Sequence, residues 1–359
     1  MEQRKLRVAL VGCGRMGAFT TDRTRNLIPD IYFPLSHTEA IEAHPGLELV
    51  AACDTDMSKA REAVARFGSY GATAWIDASE MLASVETDIL SVATRTSERP
   101  HLVAEGVRRG VRGIHSEKPF STILRETEDV VSLIKERRAH LTYGTLRRFM
   151  APYRTAKKLL LDGEIGDLKE ISVAHGYKEL LLWSHPHSVD LLLYYADAEP
   201  VAVNAICDFG DSHVSDGLVD CDPKVDFARV TFSNGVHGII TSGTGACVTL
   251  SGSEGVIRIH SNGEKVELSK RSTTGKPSFK QGVEVDVAPA NSGTLQALSE
   301  LHDSILGIGQ ASMRPDDVLL NQRVLWSIVG SARNDGRTFQ VANANRDTQI
   351  TGRVGEMLA

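Results

Sequence analysis

A glycine-rich segment near the start of the chain has the spacing of a loop that binds the phosphates of a dinucleotide. The apolar run 8–11 leads directly into Gly12, Gly14 and Gly17, in the order G-x-G-x-x-G. The first glycine allows a tight turn, the second lets the backbone approach a pyrophosphate, and the third lets the following helix pack against the strand. A glycine-rich turn of another α/β protein is the alternative. The position after the first strand favours the dinucleotide, and we expect a helix to begin in this loop.

An acidic residue, Asp54, ends the second predicted strand, where a carboxylate can bind the ribose hydroxyls. It follows Gly17 by more than the roughly 20 residues that are usual, so the first crossover contains an insertion. The neighbours Thr55 and Asp56 are neutral and acidic, whereas a 2′-phosphate would need an arginine nearby. These residues predict NAD rather than NADP. The alternative is that Asp54 only begins the following turn.

Two further residues have side chains suited to stabilising charge and moving protons. Lys118 follows the predicted strand 113–116, and ligands of open α/β sheets bind at the carboxyl ends of the strands. His187 suits proton transfer because an imidazole titrates near neutral pH. Oxidation of a secondary alcohol needs a base for the hydroxyl proton and a positive donor for the developing oxyanion. The alternatives are a solvated Glu117–Lys118 pair on a loop and a histidine of the core or surface.

The elements that must position these residues change character along the chain. In the first half, short apolar runs alternate with amphipathic stretches, which is the pattern of a parallel sheet covered by helices. The predicted strands are residues 7–11, 47–53, 89–93, 113–116 and 141–143. The predicted helices are residues 58–67, 78–82, 100–109 and 123–137. Around His187 we expect a helix with Ser184 as its N-cap and Pro186 in the first turn.

The second half favours an antiparallel sheet. Alternating segments are found at residues 201–207, 227–232, 235–241 and 256–259, and a helix is predicted at 316–332. A chain of 359 residues exceeds what one core usually serves. We therefore predict two domains. Residues 1–146 form an N-terminal Rossmann domain with a doubly wound parallel sheet, and residues 147–359 form an α+β domain with a large, mostly antiparallel sheet for substrate binding and oligomerisation.

The composition excludes several classes of protein. A net charge of −6 offers no basic surface for nucleic acid, and no apolar run is long enough for a membrane span or a signal-peptide core. The five cysteines are scattered and contain no C-x-x-C pair, which argues against a disulfide framework and a structural zinc site. We expect a cytoplasmic protein with no metal site.

Taken together, the motifs resemble the Gfo/Idh/MocA family, the relatives of glucose-fructose oxidoreductase and inositol dehydrogenase. Glu117-Lys118-Pro119 is similar to the family's E-K-P motif. The other similar segments, which extend the resemblance over most of the chain, are 12–17, Asp54, 93–101 with Arg95 where proline is common, 147–152, 163–166, 187–190, 252–255 and 331–337.

The resemblance implies an NAD-dependent oxidoreductase that transfers a hydride between nicotinamide and a sugar, cyclitol or related polyol. The catalytic residues would be Lys118 and His187. The cofactor would be bound by Gly12, Gly14, Arg15, Met16, Gly17, Asp54, Thr94, Glu117 and Lys118. The substrate would be bound by Arg148, Tyr177, Trp183 and Asp190, with Arg147 and Lys178 nearby. Alternatively, Arg147 and Arg148 only pair with carboxylates.

One position departs from the family pattern. Family members commonly have an aspartate four residues before this histidine, and here the residue is Trp183. An indole accepts no hydrogen bond, so His185 or Asp190 orients His187, or the chemistry is altered or lost, or the alignment is shifted around residues 185–187. Trp183 could also stack on a sugar ring. The alternatives to a dehydrogenase are thus a non-catalytic NAD(H)-binding sensor and an NAD-assisted, redox-neutral elimination or hydrolysis.

Two expectations concern surfaces. Residues 20–43 lengthen the first crossover and form either a lid or binding loop, or a surface elaboration or oligomer contact. The strands between residues 201 and 259 must cover their outer face, because a sheet with apolar residues on both faces is a poor solvent surface. We expect a homodimer or homotetramer.

Overall fold

The computed structural model describes residues 4–174, 179–243, 245–272 and 281–351. The chain forms two compact units, Met1–Phe149 with Asn291–Leu319 and Met150–Ala290 with Leu320–Ala359. The predicted boundary assigned residues 291–319 to the second domain. The structure differs because helix α9 (Gly293–Leu306) packs on the first sheet, where Leu298 and Leu301 are fully buried.

The first unit is the predicted Rossmann domain. Its sheet has the order β3-β2-β1-β4-β5-β6, and all of the neighbouring strands are parallel. The strands are β1 (Leu6–Val11), β2 (Leu47–Cys53), β3 (Gly68–Trp75), β4 (Ile89–Val92), β5 (Gly113–Ser116) and β6 (His140–Tyr143). The helices are α1 (Asp22–Arg25), α2 (His37–Ala43), α3 (Met57–Phe67), α4 (Ala78–Ser84), α5 (Arg99–Arg108) and α6 (Leu124–Arg137), followed later in the chain by α9. Apolar clusters bury the sheet, so the doubly wound fold is confirmed.

The second unit contains a nine-stranded sheet of order β15-β14-β13-β12-β7-β11-β10-β8-β16. Its strands are β7 (Leu168–Ala174), β8 (Pro200–Asp208), β10 (Lys224–Phe232), β11 (His237–Thr241), β12 (Cys247–Gly252), β13 (Gly255–His260), β14 (Lys265–Lys270), β15 (Val283–Val285) and β16 (Phe339–Gln340). The β7–β11 pair is parallel and the other pairs are antiparallel, as predicted for a mostly antiparallel sheet. A separate small sheet joins β9 (Leu218–Val219) and β17 (Gln349–Ile350).

Helices of the second unit pack against the large sheet. The unit contains α7 (Ala151–Leu161), α8 (Leu181–Ala196) and the part of α10 (Pro315–Ala332) from residue 320 onward. Along β12, the buried residues Val248 and Leu250 alternate with the partly exposed Cys247, Thr249 and Ser251. On other strands of the sheet, Val201, Ile206 and Val283 are exposed. The homo-oligomer stays a prediction. Among the described residues, no helix has the length and apolar character that a membrane crossing requires.

Candidate active site

The three glycines of the loop after β1 have three different surroundings. Gly12 has a φ of +94°, and a Cβ there would lie 2.6 Å from the carbonyl oxygen of Ala93. A Cβ on Gly17 would lie 1.8 Å from the carbonyl oxygen of Gly12, so this position is closed by packing. A Cβ on Gly14 would meet no atom within 4 Å. The open space at Gly14 is what the approach of a pyrophosphate requires, and the loop fits a dinucleotide.

The helix expected to begin in this loop is interrupted, which corrects the prediction. The N–H groups of Ala18 and Phe19 donate to the Gly14 carbonyl, at 2.8 and 3.1 Å, and form only one turn. The chain then leaves and returns at α2, where the His37 N–H donates to Met16 O at 2.8 Å and the Thr38 N–H donates to Gly17 O at 3.0 Å. The insertion is thus placed inside the crossover helix, and α2 continues the turn that the glycine loop begins.

The carboxyl end of the insertion is anchored within the first unit. Ser292 Oγ donates to Pro34 O at 2.6 Å, and Thr294 Oγ1 donates to Leu35 O at 2.9 Å. Both donors lie at the start of α9. These contacts explain why residues 34–38 are held in place, and the predicted roles as a lid or an oligomer contact stay predictions.

Asp54 lies at the end of β2, beside the glycine loop. Its Oδ2 accepts the N–H of Cys13 at 2.8 Å, and its Oδ1 accepts the N–H of Asp56 at 2.9 Å. Each carboxylate oxygen has a second lone pair for a ribose hydroxyl. Thr94 follows β4 and is half-buried, with its carbonyl accepting from the Arg99 guanidinium. The first unit therefore brings the predicted cofactor residues to the carboxyl ends of its central strands.

Lys118 follows β5, is half-buried and precedes a cis peptide bond to Pro119. Burial lowers the pKa of its ammonium to about 8, against the opposing effect of the Glu117 carboxylate. The positive charges that lower it further belong to Arg99, Arg147 and Arg15. At neutral pH the ammonium is charged, yet its proton is held less tightly than that of an exposed lysine. Such a group can donate to a developing oxyanion.

Glu117 is 5% exposed and stays ionised. Burial would raise its pKa, but the hydrogen bond with His37 and the charges of Lys118 and Arg99 together lower the pKa to about 2. Burial also lowers the pKa of the Arg15 guanidinium, which interacts with the same carboxylate. In the sequence, His37 is only one residue of the insertion 20–43, with nothing to connect it with Glu117. No local signal could have done so, because the two residues are 80 positions apart.

In the second unit, His187 lies on α8, which starts earlier than predicted. The helix begins at Leu181, and the carboxylate of Asp222 accepts the N–H groups of Leu182 and Trp183 at 2.7 and 3.1 Å. Ser184 is therefore inside the helix and is not its N-cap, and Pro186 is likewise inside it. The physical reason is that a carboxylate from another segment caps the helix, which sequence spacing does not reveal.

The three predicted residues of α8 lie along one side of the helix. Trp183 precedes the half-buried His187 by four positions and Asp190 follows it by three, which are the spacings of neighbours on a helix surface. Asp190 is buried. The buried amide of Asn321 on α10, which the sequence did not indicate, donates to Pro186 O at 2.8 Å next to His187.

The side chain of His185 makes its hydrogen bonds with nearby residues of the chain. Its Nδ1 lies 3.1 Å from Ser188 Oγ and its Nε2 lies 3.2 Å from the carbonyl oxygen of Glu179. Burial lowers its pKa to about 4. Both of these partners differ from His187, so the contacts give no support to His185 as the group that orients His187.

Of the other predicted substrate residues, the structure describes Arg148 but not Tyr177. Arg148 is 1% exposed, and its Nη1 donates to Asp317 Oδ2 at 3.0 Å and to Ser312 O at 3.2 Å. This buried ion pair is the alternative role considered for Arg148, and a substrate contact by Arg148 stays a prediction. Tyr177 and Lys178 lie outside the described residues.

Two buried histidines predict how stability depends on pH. Burial lowers the pKa of His115 to about 3 and that of His185 to about 4, both below the ordinary 6.5. Below pH 6.5 these histidines bind protons in the unfolded chain but stay neutral in the folded chain. The free energy of unfolding therefore falls as the pH falls toward 4. At pH 5 each histidine lowers the free energy of unfolding by about 2 kcal/mol.

Urea unfolding at pH 7 and pH 5 measures this dependence. Replacement of His115 or His185 by Asn removes one titrating group, and we expect each variant to lose less stability between the two pH values than the wild type. Equal losses in wild type and variants would refute the assignment.

The fold and the glycine loop define a dinucleotide-binding α/β protein. Residues 6–145 match the Gfo/Idh/MocA model, which describes an oxidoreductase family with an NAD-binding Rossmann fold. The resemblance deduced from the motifs is thereby confirmed for these residues.

Curated relatives and a solved structure are similar to this chain. Inositol 2-dehydrogenase of Arthrobacter sp. (strain FB24) is 29% identical over 172 residues, which are 47% of this chain and 45% of the relative. The scyllo-inositol 2-dehydrogenase (NAD(+)) of Bacillus subtilis (strain 168) is 30% identical over 166 residues, 46% of this chain and 42% of the relative. The chain thus spans about half the length of the curated relatives it matches. The crystal structure of aldose-aldose oxidoreductase from Caulobacter crescentus complexed with glycerol has a TM-score of 0.71 at 20% identity, over 94% of this chain and 100% of that one, which shows a common fold.

Proposed function

We propose that the chain is an NAD-dependent oxidoreductase that interconverts an alcohol and a ketone on a sugar, cyclitol or related polyol. The observation that carries the proposal is the half-buried Lys118 with a pKa of about 8, beside an ionised Glu117, in the unit that holds the glycine loop and Asp54. The names of the relatives, inositol and scyllo-inositol dehydrogenases, support the substrate class.

Each residue has a defined task in this reaction. When bound, the nicotinamide supplies the group that accepts or returns the hydride. The Lys118 ammonium donates a hydrogen bond to the reacting oxygen of the substrate and stabilises the charge that develops there. His187 takes the hydroxyl proton during oxidation and returns it during reduction.

A screen of cyclitols, aldoses and ketoses for NAD reduction, or NADH oxidation with the matching ketones, tests the activity. We expect turnover of at least one cyclitol or sugar. A second candidate, an NAD(H)-binding sensor, is favoured only by Trp183 in place of the family's aspartate. Tight NADH binding without turnover of any polyol or ketone would make the sensor the better description.

The surroundings of Asp54 predict a preference for NADH over NADPH. A carboxylate held by two backbone N–H groups at the ribose would repel a 2′-phosphate, so we expect NADH to bind at least ~10 times more tightly, which corresponds to ~1.4 kcal/mol. Calorimetric titration with both cofactors measures the ratio. Asp54→Asn is the matched control, since an amide oxygen can still accept from Cys13 while the charge is gone, and its ratio should move toward one. Equal affinities in the wild type would remove the assignment of Asp54.

A further inference from the structure

A cluster of buried polar side chains lies beside Glu117. His37 comes from the start of α2, Ser91 from β4, His115 from β5 and Thr142 from β6. All four are fully buried. Burying so many polar groups together costs free energy unless they form hydrogen bonds with one another.

The contacts form a chain that ends on the carboxylate. Thr142 Oγ1 lies 2.9 Å from His115 Nδ1, and the ring of His115 meets the ring of His37 edge to face with centroids 4.6 Å apart. His37 Nδ1 lies 2.7 Å from Ser91 Oγ, and His37 Nε2 lies 3.5 Å from Glu117 Oε1. If Ser91 donates to Nδ1, the tautomer is fixed with its proton on Nε2, so that the ring donates to Glu117.

The second oxygen of the carboxylate faces the catalytic segment. Glu117 Oε2 accepts the backbone N–H of Lys118 at 3.2 Å. On its other side the carboxylate packs against Gly144, where a Cβ would lie 2.8 Å from Oε1. Glu117 is thus held by His37 on one oxygen and holds the backbone of Lys118 with the other.

We propose that His37 is a positioning residue for Lys118, acting through Glu117, and this rests on the function proposed above. By donating to Oε1, His37 fixes the carboxylate that orients the Lys118 backbone and whose negative charge opposes the neighbouring cations. His37 also begins the helix that resumes after the insertion, so the insertion joins the crossover next to the group that supports the catalytic lysine.

Several charged or titratable groups face this pair. Around the Lys118 ammonium they are Glu117, Arg15, Arg99 and Arg147, and around the Glu117 carboxylate they are His37, His115, Arg15, Arg99 and Lys118. Among these neighbours, the Glu117 carboxylate raises the pKa of Lys118 and the three arginines lower it. If the carboxylate is displaced, the effect of the arginines is no longer opposed and the pKa of Lys118 falls. Loss of His37 should therefore make Lys118 deprotonate at lower pH.

His37→Leu and His37→Gln test the proposal together. Leucine is of similar size and cannot donate, whereas the glutamine amide can reach Glu117 as a donor. We expect His37→Leu to lower kcat roughly tenfold and to move the alkaline limb of the pH–rate profile down by about one pH unit, with little change in NADH affinity. His37→Gln should restore most of both. Thr38→Val is the matched control, because Thr38 is the buried neighbour of His37 and its hydroxyl donates to Ala18 O.

A second readout does not depend on turnover. The rate at which acetic anhydride labels the Lys118 amine, followed by peptide mass spectrometry at several pH values, reports the ionisation of Lys118 directly. His37→Leu should shift that titration downward, and Thr38→Val should not. An unshifted labelling curve in a folded His37→Leu protein would overturn the proposal, even if thermal stability falls. If the wild type oxidises no polyol, the proposed function fails, while the labelling curves still decide whether His37 acts on Lys118.

Discussion

Replacing Lys118 by alanine should lower kcat by a factor of roughly 10² or more while raising the Kd for NADH by a much smaller factor. The physical reason is that the proposed contact between the ammonium and the reacting oxygen would be strongest when that oxygen carries charge, which occurs in the transition state. Steady-state kinetics on a substrate found by screening, together with calorimetric NADH titration, measures the two quantities separately. A variant that turns over like the wild type would show that Lys118 has no catalytic role.

Lys118→Arg is the matched control for charge. Because the pKa of Lys118 is about 8, the wild-type enzyme should lose activity as the pH rises above 8 and the ammonium gives up its proton. An arginine keeps its charge throughout this range, so the variant should retain part of the activity and lose the alkaline limb. If that limb persists unchanged, another group controls it.

The parallel strands of the first unit could be predicted closely because both of their faces are buried. Strands β2 and β5 begin and end where the apolar pattern placed them, at Leu47–Cys53 and Gly113–Ser116. Strand β3 was not predicted, since its sequence GSYGATAW contains two glycines and all of its residues are partly or fully exposed. An edge strand of this kind has pairing but little apolar periodicity.

The candidate site was predictable where chemistry and strand ends coincide along the sequence. The glycine loop, Asp54 and Glu117-Lys118 each follow a strand directly, so topology brings them to one edge of the sheet. The supporting contacts were not predictable, since they join distant segments. Asp222 caps a helix that starts about 40 positions earlier. Asn321 donates a hydrogen bond to the carbonyl oxygen of Pro186, 135 positions away. Such partners leave no local pattern.

The second large effect concerns His187. If His187 transfers the proton, His187→Asn should lower kcat by roughly 10² while NADH affinity stays the same. Asparagine is close in size and polar, so the start of α8, which depends on Asp222 and Asn321, should be preserved. Unchanged kcat in a folded variant would contradict the role.

Trp183→Asp tests whether a carboxylate four residues before His187 changes the ionisation of that imidazole. The substitution leaves the backbone N–H of position 183 free to donate to Asp222, although the two carboxylates repel each other. An aspartate one helical turn from His187 stabilises a protonated imidazole, so the acid limb of the pH–rate profile should move to higher pH, with higher activity if orientation of the ring limits the wild type. Trp183→Asn provides the comparison without charge. Identical profiles for the two variants would show that the acid limb does not report the ionisation of His187, and another group would then carry the proton.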